Sequence, residues 1–183
     1  MSIFEKILQQ LKDTQELAIF MREHIPDGTE WGFLRDYNEC CLFIDRVSSD
    51  GLYDGIMIFQ RPQLTRIRWG TTHLAAVAEL FKKKNKNLNK PDISIESMHS
   101  SLKDVQSAYR YVCLSADDLD DDALLLGEIE ALDEQHVLLY EFCNKTAKDR
   151  SHMVCPLDEI TSIQAGGIYE EDIRYLNVEF WAK

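Results

Sequence analysis

The chain has 183 residues, 45% of them hydrophobic, and a formal net charge of −12. These values predict a globular protein of one domain or two small ones. No apolar run approaches the roughly 20 residues that a membrane helix needs, and the first residues lack the basic-then-apolar pattern of a secretory signal. Five cysteines in scattered positions favour reduced thiols. We therefore expect a cytoplasmic protein that binds no membrane.

The negative charge is concentrated in the second half of the chain. Residues 1–91 carry 13 Lys and Arg against 12 Asp and Glu, a charge of +1, whereas residues 92–183 carry 7 against 20, a charge of −13. An acidic half can steer a basic partner or orient the two halves against each other. It disfavours general nucleic-acid binding, because contacts to phosphates supply most of that affinity.

In the first half, hydrophobic periodicity predicts a long helix, four strands and a short helix. The long helix begins at a capping box of Ser2 and Glu5 and ends near His24. The short helix begins at Thr71 or Thr72, and the polar segment Asn85–Pro91 predicts a linker. The predicted strands are Trp31–Tyr37, Glu39–Ser48, Leu52–Gln60 and Leu64–Trp69.

The second half predicts the same order of elements. A helix over Ser94–Leu114 precedes an acidic loop, Asp117–Asp122, and a short helix follows Gly166-Gly167. A final edge strand is predicted over Asn177–Ala182. The other predicted strands are Leu125–Leu132, Gln135–Cys143, His152–Pro156 and Ile160–Gln164.

The two halves also match residue by residue. When residues 31–80 are laid over residues 126–176, Gly32 falls on Gly127 and Glu39 on Glu134, and one extra residue in a loop shifts the later register. Such self-similarity indicates two copies of one structural unit. We predict a first unit at residues 1–84, a linker at 85–91 and a second unit at 92–183.

Each half places a helix before a strand that contains glycine, a long bent strand and a closing strand of the form Leu/Ile-Thr-x-Ile. Strands this short and closely spaced favour a small barrel. The pattern resembles the Sm-like and SH3-like barrels. The resemblance implies an α+β protein of two tandem copies of a helix plus a small, strongly bent antiparallel β-barrel, packed as a pseudo-dimer.

Two groups of residues contain side chains that bind metal ions in other proteins, but each group lacks essential ligands. Cys143, His152 and Cys155 flank one predicted hairpin, but a structural zinc site needs four ligands and no second pair stands nearby. The acidic run from Asp118 resembles the start of a calcium loop, but alanine and isoleucine occupy the positions that require Gly and Glu. The sequence therefore predicts no metal and no cofactor.

Catalytic motifs are absent from the sequence. It has no nucleophile elbow, Walker loop, dinucleotide-binding fingerprint or His-Glu-x-x-His motif. Cys40 or Cys41 could act as a nucleophile, yet no histidine lies near them in the sequence. We predict that the protein is not an enzyme, and a small thiol enzyme is the third alternative considered.

The candidate binding residues are basic side chains of the first half. Arg66 and Arg68 share one face of a predicted strand by alternation. A basic cluster can contact a protein partner, the acidic second half or phosphates. Because the net charge opposes free nucleic acid, we predict an interaction module for a protein partner or a further copy of the chain, with an Sm-like RNA-binding protein as the alternative. The predicted binding residues are Arg46, Arg61, Arg66, Arg68, Lys82 and Lys83.

Overall fold

A computed structural model describes residues 2–22, 28–116, 124–142 and 150–180. The chain divides into two compact units, Met1–Lys90 and Pro91–Lys183. The first unit contains α1 (Ile3–Thr14), β1 (Ala18–Arg22), β2 (Thr29–Tyr37), β3 (Cys41–Val47), β4 (Tyr53–Gln60), a 3-10 turn (Arg61–Gln63), β5 (Leu64–Arg68) and α2 (Thr72–Lys84). The second contains α3 (Met98–Tyr109), β6 (Tyr111–Ser115), β7 (Leu124–Leu132), β8 (His136–Glu141), β9 (His152–Pro156), a 3-10 turn (Leu157–Glu159), β10 (Ser162–Ala165), α4 (Ile168–Arg174) and a π-helical segment (Tyr175–Phe180).

Within each unit the strands are hydrogen-bonded in the same order. The first unit has the order β5-β1-β2-β3-β4 and the second has β10-β6-β7-β8-β9, with antiparallel neighbours. Gly32 and Gly127 occupy equivalent places, because a Cβ at either would lie 2.6 Å from a carbonyl oxygen of the neighbouring strand. In both units the register shifts just beyond this glycine, after Leu34 and after Ile129.

Two helices cover opposite faces of the first sheet. In the first core, Leu8 and Leu11 of α1 pack against Leu34 of β2. In the second core, Leu74 of α2 packs with Phe33. Phe33 and Leu34 are adjacent residues of one strand, so the two cores lie on opposite faces. Apolar burial on both faces supplies most of the stabilisation of such a sheet.

The predicted pair of tandem barrels is wrong. Within each unit the described strands form an open antiparallel sheet that does not close, and the described residues contain four α-helices. Closure requires the two outer strands to pair, whereas β4 is not a neighbour of β5, and β9 is not a neighbour of β10. Strand length and spacing suggested a barrel, but the helices on both faces of the first sheet bury its apolar side chains without closure.

The predicted ends of the two long helices are also wrong. α1 ends at Thr14 and α3 ends at Tyr109, and each is followed by a strand that the sequence did not predict. Each helix is followed by a left-handed residue that is not glycine: Gln15 has φ 49° and Arg110 has φ 67°. The usual glycine signal for a helix end is therefore missing. β1 is buried on both faces, and such a run has no alternation that separates it from a buried helix.

Residues 175–180 are helical, so the edge strand predicted over Asn177–Ala182 is wrong for residues 177–180. Its last two residues lie outside the described part of the chain. Residues Tyr175–Phe180 form the π-helical segment that continues α4. The Asn177 side chain donates from Nδ2 to the Ile173 carbonyl at 2.9 Å, a bond that fixes a helical turn. The predicted acidic loop Asp117–Asp122 lies outside the described residues. Among the described residues, no helix has the length and apolar character needed to cross a membrane.

Candidate functional site

Three of the six predicted basic residues form ion pairs inside the first unit, and in two of them, Arg46 and Arg61, the side chain is largely buried. Arg46 lies on β3, with its Nε 3.3 Å from Glu30 and its Nη2 3.2 Å from Asp54. Arg61 lies in the 3-10 turn, where its guanidinium pairs with Glu5 of α1. Carboxylates of the same unit therefore hold both guanidinium groups in place, and a partner that used them would have to displace these pairs.

Arg66 and Arg68 are exposed on β5, the outer strand of the first sheet. Their cross-strand neighbours on β1 are Met21 and Ile19. Ile19 belongs to the second core, so both arginines lie on the face that α2 covers. In the described part of the chain, neither guanidinium makes a hydrogen bond or an ion pair.

Lys82 and Lys83 lie in the last turn of α2, where the helix dipole favours cations. Lys82 Nζ is 2.7 Å from Glu79, an exposed i,i+3 pair that contributes little to stability. The six predicted residues thus lie on four different elements: β3, the 3-10 turn, β5 and α2.

A buried ion pair of the first unit was missed in the sequence. The side chain of Asp45 on β3 is fully buried, with Oδ2 2.6 Å from Lys90 Nζ and Oδ1 3.6 Å from Arg35 Nη1. Lys90 also lies 5.7 Å from the Phe81 ring centroid. The signal that could have revealed the pair is an aspartate inside the otherwise apolar strand Cys41–Val47, since buried charges are generally paired.

Of the described cysteine candidates, Cys41 and Cys155 are buried and Cys40 is exposed. Burial raises the pKa of Cys41 to about 11, helped by the charge of neighbouring Cys40, so its thiol stays protonated at neutral pH. His152 stacks on Tyr140 with ring centroids 4.7 Å apart. Burial also raises the pKa of Cys155, and Cys143 lies outside the described residues. The described residues contain no cluster of three or more His, Cys, Asp or Glu side chains that could hold a metal ion.

The second unit contains a groove of about 690 Å³, which we call the acidic groove. Three short segments line it: the start of α3, the turn between β7 and β8, and the 3-10 turn after β9. The polar lining includes His99 and His136, and the apolar lining includes Leu157. Its carboxylates are Glu134, Asp158 and Glu159.

Backbone hydrogen bonds fix the shape of the acidic groove. Asp133 Oδ1 accepts from the backbone N–H groups of Gln135 at 2.8 Å and His136 at 2.7 Å, which holds the β7–β8 turn. These two bonds are the main reason that the pKa of Asp133 is lowered. The Leu157 N–H donates to the Gln135 carbonyl at 2.8 Å and holds the 3-10 turn against the β7–β8 turn.

The carboxylates of the acidic groove lack counter-ions among the described residues. Glu134, Asp158 and Glu159 make no side-chain hydrogen bond or ion pair with the described residues. Glu159 and Asp158 add to the burial effect that raises the pKa of Cys155. A concave site with one sign of charge concentrates ligands of the opposite sign. The groove can therefore bind cationic groups.

Comparison of the chain with protein-family models, with curated proteins and with solved structures finds no match. The resemblance to Sm-like and SH3-like barrels consequently stays a prediction.

Proposed function

We propose that this protein is a non-enzymatic interaction module of the cytoplasm, and that its acidic groove binds a basic, extended segment of a partner protein. The observation that carries the proposal is the groove of about 690 Å³, whose three carboxylates have no counter-ion among the described residues. A basic partner supplies the missing charge. The free thiols of Cys40, Cys41, Cys113 and Cys155 support a reducing compartment.

The lining of the groove favours a peptide over a simple inorganic cation. Met98, Pro156 and Leu157 give it an apolar wall, onto which the aliphatic stems of Lys and Arg can pack while their charged ends meet the carboxylates. The volume is in the range that takes several side chains or a small molecule. Alternating basic and apolar residues therefore match the groove best.

Fluorescence anisotropy with a labelled decapeptide of alternating lysine and valine tests the proposal. The double variant Glu134→Gln/Asp158→Asn is expected to bind this peptide about 5- to 30-fold more weakly, since each partly exposed charge contributes roughly 0.5–1 kcal/mol. Raising the salt from about 0.05 M to about 0.3 M should also weaken binding through screening.

The double variant Asp92→Asn/Asp172→Asn is the matched control, because it removes the same charge from exposed positions of the second unit that do not line the groove. It is expected to retain most of the affinity. A glutamate–valine decapeptide is expected not to bind. Equal affinity for the two peptides, or equal losses in the two double variants, would show that the groove is not the binding site.

RNA binding is the second candidate function, and the exposed Arg66 and Arg68 on an outer strand favour it. Two arginines with no partner in the described residues can contact phosphates. If a labelled single-stranded RNA binds at low salt, and Arg66→Gln/Arg68→Gln abolishes that binding while Lys82→Gln/Lys83→Gln does not, the RNA-binding function replaces the one proposed above.

A further inference from the structure

We propose that the second unit contains a second binding site, a cavity that takes a small molecule with one anionic group and an aromatic body. The cavity has a volume of about 330 Å³ and lies where α3, β6, β7 and α4 meet. We call it the aromatic cavity, because Tyr109, Tyr111 and Phe142 form part of its wall. It is separate from the acidic groove, with which it shares no lining residue.

Ring contacts and two hydrogen bonds hold the aromatic wall together. The ring centroids of Tyr109 and Tyr111 are 6.3 Å apart, and those of Tyr111 and Phe142 are 6.2 Å apart. The Tyr111 hydroxyl donates to Glu171 at 2.7 Å and accepts from the Gly166 N–H at 3.0 Å. Offset and edge-to-face contacts of this kind are also available to an aromatic ring of a ligand.

Both carboxylates of the cavity already have partners. Glu171 accepts from the Tyr111 hydroxyl and, at 2.9 Å, from Arg174 Nε. Glu128 accepts from Arg150 Nη2 at 2.7 Å. A cationic ligand would have to break one of these charge-assisted bonds, which are stronger than neutral ones. The lining therefore disfavours a cation, although the unit as a whole is acidic.

Arg110 is the cation of the lining that has no partner in the described part of the chain. Its backbone is fixed, because its N–H donates to the Gln106 carbonyl at 3.0 Å and its carbonyl accepts from the Ile129 N–H at 3.3 Å. The Arg110 Cα therefore has a fixed position at the cavity, while the guanidinium is free to bind. A guanidinium binds carboxylate or phosphate through two parallel hydrogen bonds.

The size of the aromatic cavity limits the ligand. A volume of about 330 Å³ is near the lower end of the range for small-molecule sites, roughly 300–1,000 Å³. One ring with one carboxylate or phosphate group fits this space, and a dinucleotide does not. Phenyl phosphate and benzoate are suitable probes, since they differ only in the anionic group.

Isothermal titration calorimetry of the full chain tests the site. We expect phenyl phosphate or benzoate to bind the unaltered protein, and inorganic phosphate and benzyl alcohol to bind at least about tenfold more weakly, because each offers half of the contacts. Arg110→Gln should weaken the better probe at least about tenfold. Lys103→Gln removes the same charge from an exposed position of α3, the helix that precedes Arg110, and it should leave the affinity unchanged.

Phe142→Leu separates the aromatic contact from the charge. It should weaken the aromatic probe and leave the binding of inorganic phosphate unaltered. Urea unfolding of each variant verifies that it is folded. The site does not exist if neither probe binds the unaltered protein at millimolar concentration, if Arg110→Gln binds as tightly as the parent, or if Lys103→Gln loses as much affinity as Arg110→Gln.

Discussion

Replacing Lys90 should destabilise the first unit more than neutralising Asp45, its partner. The Asp45 carboxylate is fully buried, whereas the Lys90 side chain is 31% exposed, with its Nζ 2.6 Å from Asp45 Oδ2. Lys90→Met leaves the buried carboxylate with Arg35 alone, 3.6 Å away. Asp45→Asn leaves an ammonium group that can turn towards water. The cost of an uncompensated charge depends on whether water can reach it.

The expected magnitude follows from the burial of each partner. Breaking a buried ion pair by removing one member costs about 3–5 kcal/mol. Because Arg35 remains and Lys90 is partly exposed, we expect about 2–3 kcal/mol for Lys90→Met and about 1 kcal/mol for Asp45→Asn. The double variant should be more stable than Lys90→Met, since it contains no buried charge in this place.

Urea unfolding followed by tryptophan fluorescence measures these free energies, because Trp31 and Trp69, two of the three tryptophans, belong to the first unit. Lys86→Met, at an exposed position of the same segment, is the matched control and should change the free energy of unfolding by less than about 0.5 kcal/mol. A larger loss of stability in Asp45→Asn than in Lys90→Met, or single losses that simply add in the double variant, would contradict the role given to the buried carboxylate.

Two further predictions concern the second unit and the thiols. Gly127→Ala should destabilise the second unit by about 1–3 kcal/mol, because the alanine Cβ would lie 2.6 Å from the Tyr140 carbonyl oxygen. Circular dichroism in urea measures this loss of stability. An unchanged unfolding midpoint would contradict the close approach of the two strands. Iodoacetamide should modify exposed Cys40 much faster than Cys41, whose pKa of about 11 leaves about one thiolate in a thousand at pH 8. Tandem mass spectrometry locates the label, and equal rates at the two sites would contradict the burial of Cys41.

Strands with turn signals at both ends could be predicted from the sequence, and β1 and β6 could not. The segment Tyr53–Gln60 follows an Asp-Gly turn and precedes a proline, so its bounds are marked locally. β1 follows a helix with only Gln15, Glu16 and Leu17 between them, and no glycine or proline marks the change. Its apolar residues continue the helical stripe by coincidence of spacing. Only pairing with β2 and β5 determines that this segment is a strand.

The openness of the sheet is likewise a property of long-range pairing. Sequence spacing indicates how many short strands exist, but closure depends on whether the outer strands meet. In the first unit, α2 supplies Leu74 and Val77 to one face while α1 covers the other. The sequence pattern therefore predicted this short helix, but it did not show that the helix would cover one face of the sheet.

The candidate site was the least predictable feature. The acidic groove gathers three segments, 97–99, 134–136 and 156–159, that are distant in sequence. The excess of carboxylates in the second half pointed to this unit. The sequence did not show, however, which of these carboxylates lie close together in the folded chain. The predicted arginines show the converse, since Arg46 and Arg61 look free in the sequence and are ion-paired in the structure.

Nuclear magnetic resonance of the backbone amides during titration with the lysine–valine decapeptide shows which residues contact a basic partner. We expect saturable shifts to concentrate on residues 97–99, 134–136 and 156–159, the three segments of the acidic groove. Shifts should be small on β5 and around Arg110. Saturable shifts confined to the first unit, or an absence of saturable shifts in these three segments, would contradict the proposal that the groove binds a basic partner.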